Sequence, residues 1–131
     1  MKILCPAAML ILMAGCASPH SGPANDAHAP APASAVELKG DAIRSALVGR
    51  QLRSVTADGK PFTETYSPDG IATITISGSA AQKGSWQINE GVMCVNYAAY
   101  GQECNSIKAD DQWVWLIDST KMTTNNRFSR H

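Results

Sequence analysis

The chain has 131 residues with 11 basic and 11 acidic side chains, so its net charge at pH 7 is zero. The basic residues are scattered, which gives no electrostatic basis for binding nucleic acid. A local group at the carboxyl end, Arg127, Arg130 and His131, is interpreted as a solvated tail rather than a phosphate or lipid-headgroup site.

The amino-terminal residues have the pattern of an export signal. Lys2 precedes an apolar run, and the small residues Ala14 and Gly15 come just before Cys16. The run is too short for a transmembrane helix, so residues 1–15 are predicted to be a signal peptide.

Residues 13–16 also resemble the lipobox of bacterial lipoproteins. The resemblance implies that Cys16 becomes the acylated first residue of the mature chain and anchors it stably in a membrane. The two residues after the cysteine, Ala17 and Ser18, are not aspartates. The resemblance to lipoproteins therefore implies sorting to the outer membrane, with the protein facing the periplasm. The alternative is a plain signal peptide cut nearby, which would give a secreted protein.

Residues 16–35 are predicted to be a tether behind the lipid. The stretch is rich in Ala, Pro and Ser and has no large apolar side chain after Cys16, so it cannot offset its ordering entropy by burial. His20 and His28 lie in it, and a two-histidine metal site is the alternative to a plain spacer. With no third ligand nearby, we expect no metal.

Residues 36–131 are predicted to form one small domain that begins with a short helix. Asp41 is the expected cap, Ile43 and Leu47 make one apolar stripe, and Gly49 is the expected stop.

The remainder has the pattern of seven or eight short strands separated by turns. An antiparallel meander of this size closes most simply as a small barrel or partial barrel, so the fold class is mainly all-β with one helix. The expected strands are 51–56, 61–66, 71–76, 86–89, 92–97, 102–107, 112–117 and 123–128.

The hairpin around residues 92–107 predicts a disulfide. Pairing Cys94 with Cys104 places Tyr97 opposite Gly101 and leaves a three-residue loop, with glycine where a bulge needs it. Cys5 leaves with the signal and Cys16 takes lipid, so these two cysteines remain for an oxidising compartment. A loop this short contributes about 2.5 to 3 kcal/mol in the chain-entropy model. Before this hairpin, Glu90 and Gly91 are expected to form a two-residue turn, with glycine supplying the positive φ.

No catalytic residue is predicted. Between Val36 and Arg130 there is no histidine to serve as a base for a serine or cysteine nucleophile. No phosphate-binding, dinucleotide-binding or metal-binding motif occurs either, so no cofactor is expected. A hydrolase with paired carboxylates is an alternative. However, the sequence spacing of the acidic residues does not single out two of them, and it does not determine which way Glu64 and Glu103 face.

Aromatic residues offer a candidate binding surface. Trp113 and Trp115 share one face of a strand, opposite Val114 and Leu116. Core packing is one interpretation. The other is a ligand groove formed by Trp113 and Trp115 with Tyr97 or Tyr100 from the hairpin end.

Several short motifs resemble those of an uncharacterised group of small secreted or lipoprotein domains of proteobacteria, with a lipocalin-like β build. The resemblance covers about residues 38–128 and implies fold and envelope location. It includes Ala46-Leu47-Val48-Gly49, Asp58-Gly59-Lys60 with Phe62, Tyr66-Ser67-Pro68-Asp69-Gly70, Gly84-Ser85-Trp86 with Ile88, and the pair Cys94 and Cys104.

The sequence therefore predicts a non-enzymatic envelope lipoprotein. Its β domain is expected to bind a small apolar or aromatic ligand, or a periplasmic or outer-membrane partner. The alternative is an inhibitor of a periplasmic hydrolase, since envelope lipoproteins that inhibit lysozymes are similar in size, tether and disulfide use.

Overall fold

The computed structural model describes residues 26–131. The predicted signal peptide, Cys16, His20 and the first part of the tether lie outside these residues. The described part contains one helix, α1 (Gly40–Leu47), and nine strands, which confirms a mainly β fold with a short helix. The strands are β1 (Val36–Leu38), β2 (Gln51–Val55), β3 (Pro61–Tyr66), β4 (Ile71–Ile76), β5 (Gln82–Asn89), β6 (Val92–Tyr97), β7 (Gly101–Ala109), β8 (Trp113–Asp118) and β9 (Thr124–Ser129).

Strands β2 to β9 form a meander that curls into a nearly closed antiparallel barrel. Each strand pairs with the next one along the chain. At the seam, β9 and β2 lie side by side, and no backbone ladder joins them within the described residues. Side chains bridge them instead: Arg50 Nη1 donates to the Arg130 carbonyl at 3.0 Å, and Ser54 Oγ donates to Asn126 Oδ1 at 3.3 Å.

Alternate side chains of each strand fill the barrel, as the period of two requires. The core includes Leu52, Phe62, Tyr66, Ala72, Trp86, Met93, Val95, Tyr97, Ile107, Val114, Leu116 and Phe128. Helix α1 covers one end with Ile43, Ala46 and Leu47. The predicted stop is observed, because Gly49 has a φ of +79° and donates its N–H to the Tyr66 carbonyl.

The predicted cap at Asp41 is wrong. The cap position is Lys39, whose side chain makes no capping hydrogen bond, and Asp41 lies in the first turn of the helix. There its negative charge still interacts favourably with the positive end of the helix dipole.

The hairpin of β6 and β7 has the predicted register. Cys94 pairs with Cys104 and Tyr97 with Gly101, and the two cysteines form a disulfide with a Cα–Cα distance of 4.1 Å. Gly101 has a φ of +81°. In the preceding turn the positive φ of 53° falls on Glu90, so the expectation that Gly91 supplies it is wrong.

The amino-terminal part of the described chain contacts the barrel. Strand β1, which the sequence pattern did not reveal, pairs with β7 beyond the end of β6. Ala27, in the segment assigned to the tether, is buried. No helix within residues 26–131 is long and apolar enough to cross a membrane.

Candidate functional site

A cavity of about 330 Å³ lies inside the barrel, at the end opposite α1. Because hairpin connections alternate between the two ends of a meander, the β2–β3 and β6–β7 connections lie at the same end of the barrel. Ala57 from the first connection and Tyr100 from the second line the cavity at that end. The lining comprises His28, Thr56, Ala57, Phe62, Glu64, Tyr66, Ile74, Ile76, Val95, Tyr97, Tyr100, Gly101, Glu103, Asn105, Leu116, Asn125 and Asn126.

Apolar side chains from four strands line part of the cavity. They are Phe62 on β3, Ile74 and Ile76 on β4, Val95 on β6 and Leu116 on β8. In the register of β3 and β4, Phe62 is opposite Ile76 and Glu64 is opposite Ile74, so apolar side chains flank a carboxyl group on the inner face. The cavity therefore combines apolar side chains with a buried carboxyl group and several other polar side chains, and in small-molecule sites such polar groups fix the orientation of the ligand.

Glu64 places a buried carboxyl group in the cavity. It alternates inward with Phe62 and Tyr66 on β3, and its side chain is only 7% exposed. The Tyr97 hydroxyl donates to Glu64 Oε1 at 2.7 Å. Burial raises the pKa of Glu64 to about 7, opposed by hydrogen bonds from Tyr97 and Tyr66 and supported by the negative charge of Glu103. The carboxyl group therefore changes its charge near neutral pH.

The two tyrosines around Glu64 remain neutral donors. Burial, and then the adjacent Glu64, raises the pKa of both Tyr66 and Tyr97. Tyr97 owes its position to Gly84 on β5, its register partner. A Cβ at residue 84 would collide with the Asn96 carbonyl oxygen and would lie 2.7 Å from the Tyr97 ring.

A row of amide groups continues from Glu103 across the cavity. Asn125 Nδ2 donates to Asn105 Oδ1 at 2.7 Å, and Asn105 Nδ2 donates to Glu103 Oε1 at 3.4 Å. Asn125 and the adjacent Asn126 both line the cavity, although consecutive strand residues normally face opposite sides. The register of β8 and β9 shifts beside them, and such an irregularity redirects side chains.

His28 lies where the barrel seam meets the cavity. Its Nδ1 is 2.8 Å from the Asn125 carbonyl oxygen on β9, and its Nε2 is 3.4 Å from the Thr56 carbonyl oxygen after β2. The imidazole therefore bridges the two edge strands that no backbone ladder joins.

The four aromatic residues predicted to form a groove do not lie together. Tyr97 and Tyr100 both line the cavity, with ring centroids 6.0 Å apart, and Tyr100 is 52% exposed at the loop tip. Trp113 and Trp115 are absent from the lining and lie on the opposite face of β8 from Leu116. The structure therefore divides the predicted groove between two faces of the barrel.

On that outer face, the two tryptophans are packed rather than open. Trp115 is 3% exposed, and Trp113 is half-buried with the Arg127 guanidinium 3.8 Å from its ring centroid. The interpretation of Arg127, Arg130 and His131 as a solvated tail is wrong for the two arginines, whereas His131 is exposed. Arg127 is buried in β9, and Arg130 Nη1 donates to the Asp110 carbonyl at 2.8 Å.

Glu64 was missed as a site residue from the sequence. The signal that points to it is the alternation of Phe62, Glu64 and Tyr66 with threonines, which places a carboxyl group on a face of aromatic residues. Within residues 26–131, no group of three His, Cys, Asp or Glu side chains is arranged to hold a metal ion.

No family model, curated protein or solved structure matches the chain. The geometry of the barrel and its cavity is therefore the basis for the functional argument.

Proposed function

We propose that the protein is a non-enzymatic lipoprotein of the cell envelope whose barrel binds a small ligand in its cavity. The observation that carries the proposal is a cavity of about 330 Å³ that is lined in part by apolar side chains and contains a buried carboxyl group, Glu64.

The size and lining of the cavity support a ligand smaller than a typical drug. Ligand sites span about 300 to 1,000 Å³ and combine apolar walls with a few fixed polar groups. Glu64 has such a fixed position, because the Tyr97 hydroxyl holds it and Gly84 makes room for the Tyr97 ring. A carboxyl group oriented in this way before a ligand arrives reduces the ordering cost of binding.

A matched pair of variants tests ligand binding. Ile76 lines the cavity, whereas the adjacent Thr75 on β4 is exposed on the other face. Ile76→Trp should fill the cavity and Thr75→Trp should not. We expect mass spectrometry of extracts from purified protein to find a small molecule with wild type and Thr75→Trp, and to find it lost with Ile76→Trp. Equal recovery from all three proteins would contradict binding in the cavity.

The envelope anchor has a separate test at Cys16. If this residue is acylated, mass spectrometry of the mature amino-terminal peptide should show a lipid-modified cysteine. Cys16→Ala should release the protein from the outer-membrane fraction. An unmodified Cys16 in membrane-derived protein would contradict the lipid anchor. It would not affect the proposal of ligand binding, which the Ile76→Trp experiment tests.

A hydrolase inhibitor is the second candidate, and the position of Tyr100 favours it. The ring is exposed at the tip of a loop between strands that Cys94 and Cys104 cross-link, which suits insertion into an active-site cleft. Micromolar protein should then inhibit a member of a lysozyme and protease panel, and Tyr100→Ala should abolish inhibition. No inhibition across the panel would remove this candidate.

A hydrolase with two carboxylates is the third candidate, because Glu64 and Glu103 line the same cavity and the negative charge of Glu103 contributes to the raised pKa of Glu64. A raised pKa on one carboxyl group near a second carboxyl group is typical of acid catalysts in glycosidases. Glycoside turnover lost in both Glu64→Gln and Glu103→Gln would establish it and overturn the non-enzymatic proposal. Turnover that survives both substitutions would remove this carboxylate pair.

A further inference from the structure

We propose that the ligand is a small organic cation, an ammonium compound with an apolar body. This inference rests on the proposed ligand-binding function and adds the chemical class of the ligand.

The charged groups around the cavity are the first argument. Glu64 and Glu103 both line it, and among the described residues no lysine or arginine does. The basic ring of His28 is present, but both of its nitrogens face backbone carbonyl oxygens, of Asn125 and Thr56. An anionic ligand would meet two carboxyl groups, while the nitrogens of the one imidazole in the lining are directed at backbone oxygens, and like charges at close range are strongly unfavourable.

The environment of Glu64 is the second argument. Its described hydrogen-bond partners are the hydroxyls of Tyr97 and Tyr66, which are neutral. A buried carboxylate without a counter-charge carries a large desolvation cost. An ammonium group within the cavity would supply the missing charge, and each of its N–H groups would donate to an oxygen that can accept.

The aromatic mouth is the third argument. Tyr100 and Tyr97 lie in edge-to-face contact at the open end, so a cation that enters passes close to their rings. Aromatic faces attract cations, and ammonium compounds are bound in this way elsewhere. Phe62, Ile74 and Ile76 then provide the surface for the apolar body of the ligand.

Three probes of nearly equal shape test the charge preference: 2-phenylethylammonium, 2-phenylethanol and phenylacetate. Calorimetric titration of the full-length protein near pH 8 should give at least tenfold tighter binding for the ammonium than for the alcohol, and weakest binding for the carboxylate. Glu64→Gln should remove the preference for the ammonium while retaining the alcohol. Glu37→Gln, on exposed β1 away from the cavity, is the matched control for loss of one negative charge and should behave as wild type.

The pH dependence provides an independent readout. The groups that face Glu64 are Tyr66, Tyr97 and Glu103, and His28 shares the cavity. Since the pKa of Glu64 is about 7, affinity for the ammonium should rise between about pH 6 and about pH 8 in wild type and stay flat in Glu64→Gln. The same titration with the alcohol should show no rise.

The outcomes separate this inference from the function on which it rests. Binding of the alcohol as tight as that of the ammonium, abolished by Ile76→Trp, would overturn the cation proposal and leave the cavity as a ligand site. Strongest binding of phenylacetate would overturn it as well. Failure of all three probes to bind at millimolar concentrations would count against both.

Discussion

Replacing Glu64 with glutamine should make the protein more stable at neutral and alkaline pH. The amide has nearly the shape of the protonated carboxyl group and can still accept the hydrogen bond from Tyr97. It carries no charge at any pH, so the cost of burying a carboxylate disappears. The substitution therefore isolates the electrostatic consequence of this one position.

The magnitude follows from the two pKa values of Glu64. An ordinary glutamate, as in the unfolded chain, has a pKa of 4.5, whereas burial raises the pKa in the folded protein to about 7. Between these values the folded state holds a proton that the unfolded state has lost, so the free energy of unfolding falls as pH rises. Below the lower value and above the upper one, the contribution is constant. At about 1.4 kcal/mol per pKa unit, the loss across the window is about 3 kcal/mol.

Urea unfolding at a series of pH values measures this effect. Other titrating groups change both proteins alike, so the quantity to follow is the unfolding free energy of Glu64→Gln minus that of wild type. We expect this difference to increase by about 3 kcal/mol from pH 4.5 to about pH 8. Glu37→Gln controls for the removal of one exposed carboxylate. A Glu64→Gln difference that stays constant or decreases over this range would refute the assignment of Glu64 as a buried acid.

Three further predictions concern the hairpins that support the cavity. Replacing Cys94 with alanine should lower stability by about 3 kcal/mol, because the disulfide closes a short loop across a sequence separation of 10; wild type treated with a reductant should match it in urea unfolding. Trp86→Ala should cost about 3 to 5 kcal/mol by thermal unfolding, since a core ring and its Nε1 bond to the Ser67 carbonyl are lost, and Trp86→Phe should cost less. Gly84→Ala should cost about 1 to 3 kcal/mol, because its Cβ would collide with the Asn96 carbonyl oxygen and the Tyr97 ring, whereas Ser85→Ala on the exposed face should cost little. Unfolding midpoints equal to wild type would contradict each one.

The seam is where the barrel differs most from a fully closed one. Side chains and His28 join β2 and β9 there, so opening the seam breaks fewer backbone hydrogen bonds than separating any paired strands. The cavity borders this seam through Asn125, Asn126 and Thr56. The residues that join the two edge strands therefore also form part of the cavity lining.

Local features of the sequence were sufficient for the strands, the short helix and the disulfide. Turn residues and alternation place β2 to β9 within a few residues, and the spacing of Cys94 and Cys104 sets the register of their hairpin. These features depend on neighbours in the chain, whose geometry is fixed by turn type and by the period of a strand. Strand β1 is the exception, since it is three residues long and exists through its pairing with distant β7.

The candidate site depended on contacts between distant parts of the chain. Alternation alone places Glu64 on the same face as Phe62 and Tyr66, but only barrel closure makes that face an interior and brings Tyr97, which is 33 residues away, to the carboxyl group. The same closure puts Trp113 and Trp115 on the outer face of β8, away from the cavity, and Tyr100 at the cavity mouth. A strand pattern specifies two faces, whereas which face becomes buried, and what it meets there, is determined by how the whole sheet curls.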